Sequence, residues 1–236
     1  MGKGRKSHRR NTPEYRLFHP TACNGGYITE SAYPWGGFGR DGHRYRDSPE
    51  TPTLENPKMP DYRRYRVPGG TYFFTVNLLE RHPNDLLVRH VDHLRSVVRA
   101  IRRRWPFHVD AWVILPDHLH CVWTLPPGDD DFANRWRLIK QGFSKGLPVE
   151  ERRSAVRMAR GERGIWQRRF WEHVIRDDAD YATHVDYCHI NPVKHGHVSS
   201  VAEWPFSTFH RHVRQGLYPS NWAGDPHHDG EAGERV

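Results

Sequence analysis

Two short stretches, His118-Leu-His120 and Tyr187-Cys-His-Ile-Asn191, carry residue types that could do chemistry together. Side chains two apart on a strand share a face, so His118 and His120 can present two neutral imidazoles to one divalent ion while Leu119 turns into the core. Residues four apart on a helix lie one turn apart on the same face, which aligns Tyr187 with Asn191. The neutral side-chain carbonyl of Asn191 suits Mg2+ or Mn2+ as a third ligand. Such a set leaves positions for water and phosphate oxygens, and the ion would neutralise a scissile phosphate and orient it for in-line attack. Tyr187 would be the attacking group. A phenol has an ordinary pKa near ~10, so nearby cations must favour the phenolate. If the two stretches meet, they suit an enzyme that cuts DNA through a covalent tyrosine bond.

Each residue also has a plainer reading. The chain holds 18 histidines, so one His-x-His pair by chance is unsurprising. Tyr187 reads equally as a half-buried helix tyrosine, and Asn191 as a C-terminal helix residue before Pro192. Tyr181 has Val185 four residues on and so no accompanying ligand. His184 and Cys188 share a helix face, but two residues make a poor zinc site. His189 is turned by about 100° per residue from the candidate face. Asp117 and Glu172 fit either support of the histidines or a turn and a surface carboxylate.

The elements that must position these groups follow from periodicity. Gly69-Gly70 precedes a β-branched and aromatic run from Tyr72 to Leu79, read as a strand. His90 to Trp105 places Val91, Leu94, Val97, Val98 and Ile101 at helical spacing, with Arg99, Arg102, Arg103 and Arg104 toward its end. Pro106 stops that helix. Phe107–Leu115 reads as a second strand, Pro116-Asp117 as a turn, and His118–Leu125 as a third strand. Asp129-Asp130-Asp131 caps a helix through Phe132, Trp136, Ile139 and Phe143, whose other face carries Arg135, Arg137, Lys140 and Lys145. Residues 148–163 are charged and suggest a short helix with Pro148 near its first turn. Asp177-Asp178 starts the helix bearing Tyr187, and Asn191-Pro192 is expected to end it. Strand, helix and hairpin in this order open a ferredoxin-like α+β layer, an antiparallel sheet with helices on one side.

The 236 residues hold one good-sized domain, and a hydrophobic content of 36% calls for a compact core under a polar surface. Lys plus Arg number 36 against 28 acidic residues, for a formal charge of +8 and a pI near 9.6. With 12% aromatics, this favours a polyanionic partner: basic groups meet phosphates and rings stack on unpaired bases. Ribosomal and membrane-surface proteins share such a charge. The cysteines Cys23, Cys121 and Cys188 have neither disulfide nor zinc-knuckle spacing, which suits a reducing cytosol. No apolar run reaches the ~18 residues of a membrane span. Residues 1–58, rich in Gly, Pro, Arg, Tyr and Ser, read as a disordered basic arm. It is a solvated tail, a DNA-backbone contact, or sequence upstream of a true start at Met59. The domain is expected over 59–224, with a disordered tail at 225–236.

Four ordered segments resemble the single-tyrosine HUH transposase family, in particular its REP-associated branch. Tyr62-Arg-Arg-Tyr65 leads to Gly69-Gly-Thr-Tyr-Phe-Phe-Thr-Val-Asn77. Ala111-Trp-Val-Ile-Leu-Pro-Asp-His-Leu-His-Cys-Val-Trp123 resembles the strand pair with the HUH histidines. Ile165-Trp-Gln-Arg-Arg-Phe-Trp-Glu-His173 resembles the Trp-Gln segment, and Val185 to Gly196 the nucleophile helix. The tail motifs Trp204–Phe209 and 216–219 follow, so the likeness covers about 59–224. It implies a metal-dependent enzyme, with Mg2+ or Mn2+, that nicks and rejoins single-stranded DNA at REP-type hairpins. His118, His120 and Asn191 would be metal ligands and Tyr187 the nucleophile. The products would be a 5′-phosphotyrosine and a free 3′-hydroxyl. The alternative is a domesticated hairpin-binding protein that no longer cuts. The implied partner is DNA, with no membrane and no small-molecule substrate, in a cytoplasmic, nucleoid-associated monomer. Candidate DNA contacts are Tyr62, Arg63, Arg64 and Tyr65, then Arg102, Arg103, Arg135 and Lys140, and finally Trp166, Gln167, Arg168 and Arg169. Each of these reads equally as ordinary surface charge or core packing. The arm 1–58 and the charged stretch 148–163 depart from the family pattern.

Overall fold

The computed structural model describes residues 64–81 and 83–224. Its first strand, β1 (Thr71–Asn77), is buried along nearly its whole length. The reason is a sheet covered on both faces. Alternate residues Tyr72, Phe74 and Val76 enter one apolar cluster, while Phe73 enters another on the opposite face. After a short helix α1 (Leu86–Arg89), the expected helix appears as α2 (Val91–Arg104). Asp92 in its first turn and Arg102 to Arg104 in its last match the helix dipole. β2 (His108–Ile114) and β3 (His118–Thr124) form the expected hairpin.

α3 (Phe132–Lys145) is capped by Asp131, whose side chain accepts from the Asn134 N–H. It packs against α2 at close range. A Cβ on Gly142 would sit 2.8 Å from Cγ1 of Val97, so glycine lets the two helices approach. Trp136 of α3 stacks on Trp123 of β3 with ring centroids 4.3 Å apart, and both are fully buried. In the charged stretch 148–163 the helix is only α4 (Ala155–Ala159), capped by Ser154 rather than led by Pro148.

A fourth strand, β4 (Trp171–Val174), pairs antiparallel with β1 and completes the sheet order β2-β3-β1-β4. This is the ferredoxin-like order. Periodicity did not reveal β4 because four residues are too short to show an alternation. The expectation of helices on one side holds for α2 and α3. The long helix α5 (Asp178–Lys194) instead crosses the other face, where Val185, Tyr187 and Cys188 pack on Phe73, Val113 and Val122. Pro192 lies inside α5 and does not end it: His195 N–H donates to the Asn191 carbonyl at 3.0 Å, and the helix runs one turn further than expected.

Past a 3-10 turn at Val201–Glu203, the chain runs beside β2. The Ile114 N–H donates to Phe206 O at 2.9 Å and the Thr208 N–H to Trp112 O at 2.8 Å, which covers an otherwise open sheet edge. The last helix is α6 (Phe209–Arg214). No helix among the described residues is long and apolar enough to cross a membrane.

Candidate active site

β3 places His118 and His120 on the α5 face of the sheet, and Leu119 on the α2–α3 face. The two imidazoles stand edge to face with centroids 4.9 Å apart. Each has its Nδ1 held. Thr75 Oγ1 of β1 lies 2.8 Å from His120 Nδ1, and Asp117 Oδ1 lies 2.6 Å from His118 Nδ1. Arg81 Nε donates to the other oxygen of Asp117 at 2.6 Å. Burial alone would raise the Asp117 carboxyl, but hydrogen bonds and charge from His118 and Arg81 hold it well below the usual carboxylate range. Both rings are buried and therefore fixed in orientation.

α5 brings the second half of the site. Tyr187 is 2% exposed, and its ring meets His120 at 5.2 Å and 82°. Phe73 packs edge-on against the same phenol at 5.8 Å. Lys194 Nζ lies 4.9 Å from the Tyr187 ring centroid, which puts a cation beside the phenol. Asn191, one turn along α5, is fully buried. His195 reaches His118, with centroids 5.0 Å apart. Asn77 stands opposite His118 in the β1–β3 register, and its Oδ1 is buried without a hydrogen-bond partner.

Two imidazoles beside neutral carbonyl oxygens are a donor set that fits a divalent cation. Histidines that hold a metal have the other ring nitrogen anchored by a carboxylate, hydroxyl or carbonyl, and both histidines show this arrangement. That anchoring leaves Nε2 of each ring as the nitrogen that would face an ion, and Asn191 and Asn77 would offer neutral carbonyl oxygens to it.

Other candidates are sorted by the same geometry. Glu172 pairs with Phe74 in the β1–β4 register and so sits on the α3 face, away from His120. Tyr181 donates to Asp110 Oδ1 at 3.3 Å, a packing role. His189 does point elsewhere: its Nε2 lies 2.9 Å from His212 Nδ1, and burial pushes its pKa down to about 3. His184 groups not with Cys188 but with His173 and Asp180, ligand atoms all within 4.8 Å. The Asp180 carboxylate there already accepts from the backbone N–H and Nε of Arg176 and contacts His173 Nε2 at 2.9 Å, so the cluster reads as a hydrogen-bonded brace between α5 and β4.

The expected DNA contacts separate. Arg135 is fully buried and is a structural residue. Its guanidinium donates twice to Asp129, at 2.6 and 3.0 Å, and also to carbonyls of Pro106 and Asp131. Such a saturated fork has no donor left for phosphate. Trp166 is 7% exposed and packs on Phe143, so its ring belongs to the core. Lys140 Nζ donates to Gln167 O at 2.9 Å and lies over the Trp166 and Phe170 rings. Arg168 pairs with Glu162. Tyr65, Arg102, Arg103 and Arg169 are exposed, Arg64 is half-buried, and Tyr62, Arg63 and Cys23 lie outside the described residues. Sequence reasoning missed Thr75, Arg81, Lys194 and His195. Lys194 and His195 had a signal, their spacings of seven and eight from Tyr187 on a continuing helix.

The fold and the site define a ferredoxin-like α+β domain in which a histidine pair on the sheet faces a helix-borne tyrosine. No family model matches the chain. It is 53% identical over 178 residues to the REP-associated tyrosine transposase of Escherichia coli (strain K12), covering 75% of this chain and 99% of that one. A Haemophilus influenzae relative bearing the same family name is 46% identical over 169 residues, covering 71% and 96%. A solved structure of a REP-associated tyrosine transposase bound to a REP hairpin matches with a TM-score of 0.65 at 53% identity, over 75% of this chain and 99% of that one. The chain belongs to the family of REP-associated tyrosine transposases.

Proposed function

We propose that the protein is a metal-dependent transposase that cuts and rejoins single-stranded DNA at REP-type hairpins. The observation that carries this is the meeting of His120 and Tyr187 across the β3–α5 contact. Tyr187 is the nucleophile. Its phenol oxygen bonds to the scissile phosphorus while the P–O3′ bond breaks, which leaves a 5′-phosphotyrosine and, after protonation, a free 3′-hydroxyl. That hydroxyl can attack the phosphotyrosine in reverse and rejoin a strand. Lys194 favours the negative charge that develops as the phenol gives up its proton. His118, His120 and Asn191 hold Mg2+ or Mn2+, which when bound neutralises and orients the phosphate. Thr75, Asp117 and Arg81 fix the imidazoles so that little reorganisation is needed when the DNA arrives.

The solved relative with its REP hairpin supports the substrate class. The exposed Arg102, Arg103 and Arg169 and the half-buried Arg64, with the exposed Tyr65, suit backbone and base contacts; we assign Tyr62, Arg63, Gln167 and Arg168 to the same role from the sequence. The protein acts as a monomer near the nucleoid, and the working domain is residues 59–224.

The test is a labelled single-stranded DNA carrying a REP-like hairpin and its flanks, incubated with Mn2+ and read on a denaturing protein gel. A labelled band at the mass of the protein is expected, and Tyr187→Phe should abolish it while hairpin affinity stays nearly intact. Hairpin binding without any covalent band, in both Mg2+ and Mn2+, would move the reading to a non-cutting hairpin binder.

A further inference from the structure

A groove of about 310 Å3 runs between α2 and α6 along the edge of β2. Arg95, Arg99 and Arg102 line one wall, spaced four and three apart on α2 and therefore on one stripe. Arg211 of α6 lines the other, the buried Trp112 forms the floor, and the half-buried Phe206 supplies aromatic surface between the walls. The cations are poorly matched by acid. Arg95 has Asp92 at 3.4 Å. Arg99 donates to Ser96 Oγ, Arg102 to Phe107 O, and Arg211 to the carbonyls of Val109 and Asp110. Among the described residues no carboxylate forms an ion pair with the last three. The α2 stripe spans about 10 Å of helix axis, longer than a single phosphate.

The groove also connects to the candidate active site through rings. Phe206 meets Trp204 at 5.5 Å, Trp204 stacks on His197 at 5.3 Å and 23°, His197 lies 6.1 Å from His195, and His195 lies 5.0 Å from His118. His195 and His197 are exposed. A strand leaving the reacting phosphate would meet these rings first and the arginines next. Spaced cations beside aromatic faces are what a single strand requires, since phosphates and unstacked bases alternate along it.

The geometry points to this groove as the track for the unpaired flank of the DNA, a conclusion that rests on the hairpin-processing function above. Arg99, Arg102 and Arg211 meet its phosphates, and Phe206 meets its bases. The hairpin stem is held elsewhere.

The full chain is titrated by fluorescence anisotropy with two DNAs, a REP-like hairpin with its single-stranded flank and the same hairpin trimmed of it. The variants are Arg99→Glu and Arg99→Glu/Arg102→Glu, each checked for an unchanged far-ultraviolet spectrum and Tm. The double variant should lose at least tenfold in affinity for the flanked DNA and almost nothing for the trimmed one. Its slope of log K against log salt should shrink by about 1.4, at ~0.7 for each lost single-strand phosphate contact. Equal losses on both DNAs would assign the groove to the stem, and no loss on either would remove it from DNA binding; both overturn the inference. Failure of the unsubstituted protein to bind either DNA would instead sink the hairpin function itself, and this inference with it. With the unsubstituted protein, 5-iodouracil in the flank should photocross-link to a peptide containing Phe206, and a cross-link confined to other peptides overturns the assignment without relying on any variant.

Discussion

Tyr187 and His120 come from elements 66 intervening residues apart in the chain, yet their rings touch edge to face at 5.2 Å. Neither ring can turn away. The phenol is wedged by Phe73, and the imidazole is held through Nδ1 by Thr75. Candidate nucleophile and candidate metal ligand are thus positioned by the fold before any DNA is present.

Removing the imidazole of His120 should remove the metal chemistry and spare binding. For His120→Ala, Mn2+-dependent adduct formation should fall by at least about a hundredfold, more than loss of a supporting residue costs. Hairpin affinity measured with chelator present should stay within a few-fold. Normal cleavage by this variant would take His120 out of the metal site.

Thr75→Val keeps a β-branched side chain of similar shape in β1 but deletes the oxygen that anchors His120 Nδ1. The Mn2+ affinity read by calorimetry should drop by about 10- to 100-fold. An unchanged affinity would show that packing alone orients the ring.

In the proposed function Lys194, 4.9 Å from the Tyr187 ring centroid, acts on the phenol by charge. Lys194→Met should slow adduct formation about tenfold, the equivalent of ~1.4 kcal/mol, which is within the range of a partly desolvated cation–π contact. Lys194→Arg should retain most of the rate, and noncovalent DNA binding should be the same in all three proteins. A slow Lys194→Arg protein would argue that the contact is steric.

The Arg135–Asp129 pair, a buried guanidinium against a half-buried carboxylate, predicts a pH-dependent stability difference. Its hydrogen bonds to Arg135 hold the Asp129 carboxyl below the usual range. The unfolded chain therefore takes up that proton first, so the contribution is full above about pH 4 and is lost as pH falls through the lower folded value. Asp129→Asn, which strands a buried guanidinium, should cost about 3 kcal/mol in urea unfolding at pH 7. The gap between variant and wild type should narrow at pH 3. A gap that stays constant down to that pH would mean the pair is not ionic.

The sequence by itself determined what depends on neighbours a few residues away. Strand alternation put His118 and His120 on one face, helical spacing aligned Tyr187 with Asn191, and Asp131 and Asp177 cap the helices they were expected to start. Those are local periodicities and local hydrogen bonds, and they leave a trace in the order of residues. Tertiary structure alone decided which face α5 would cover, that Thr75 would meet His120 from 45 residues away, and that Arg135 would be sealed inside rather than face DNA. Those outcomes depend on sheet register and on packing between distant segments. An arginine on a helix reads the same in sequence whether a carboxylate from the preceding loop folds over it or solvent does.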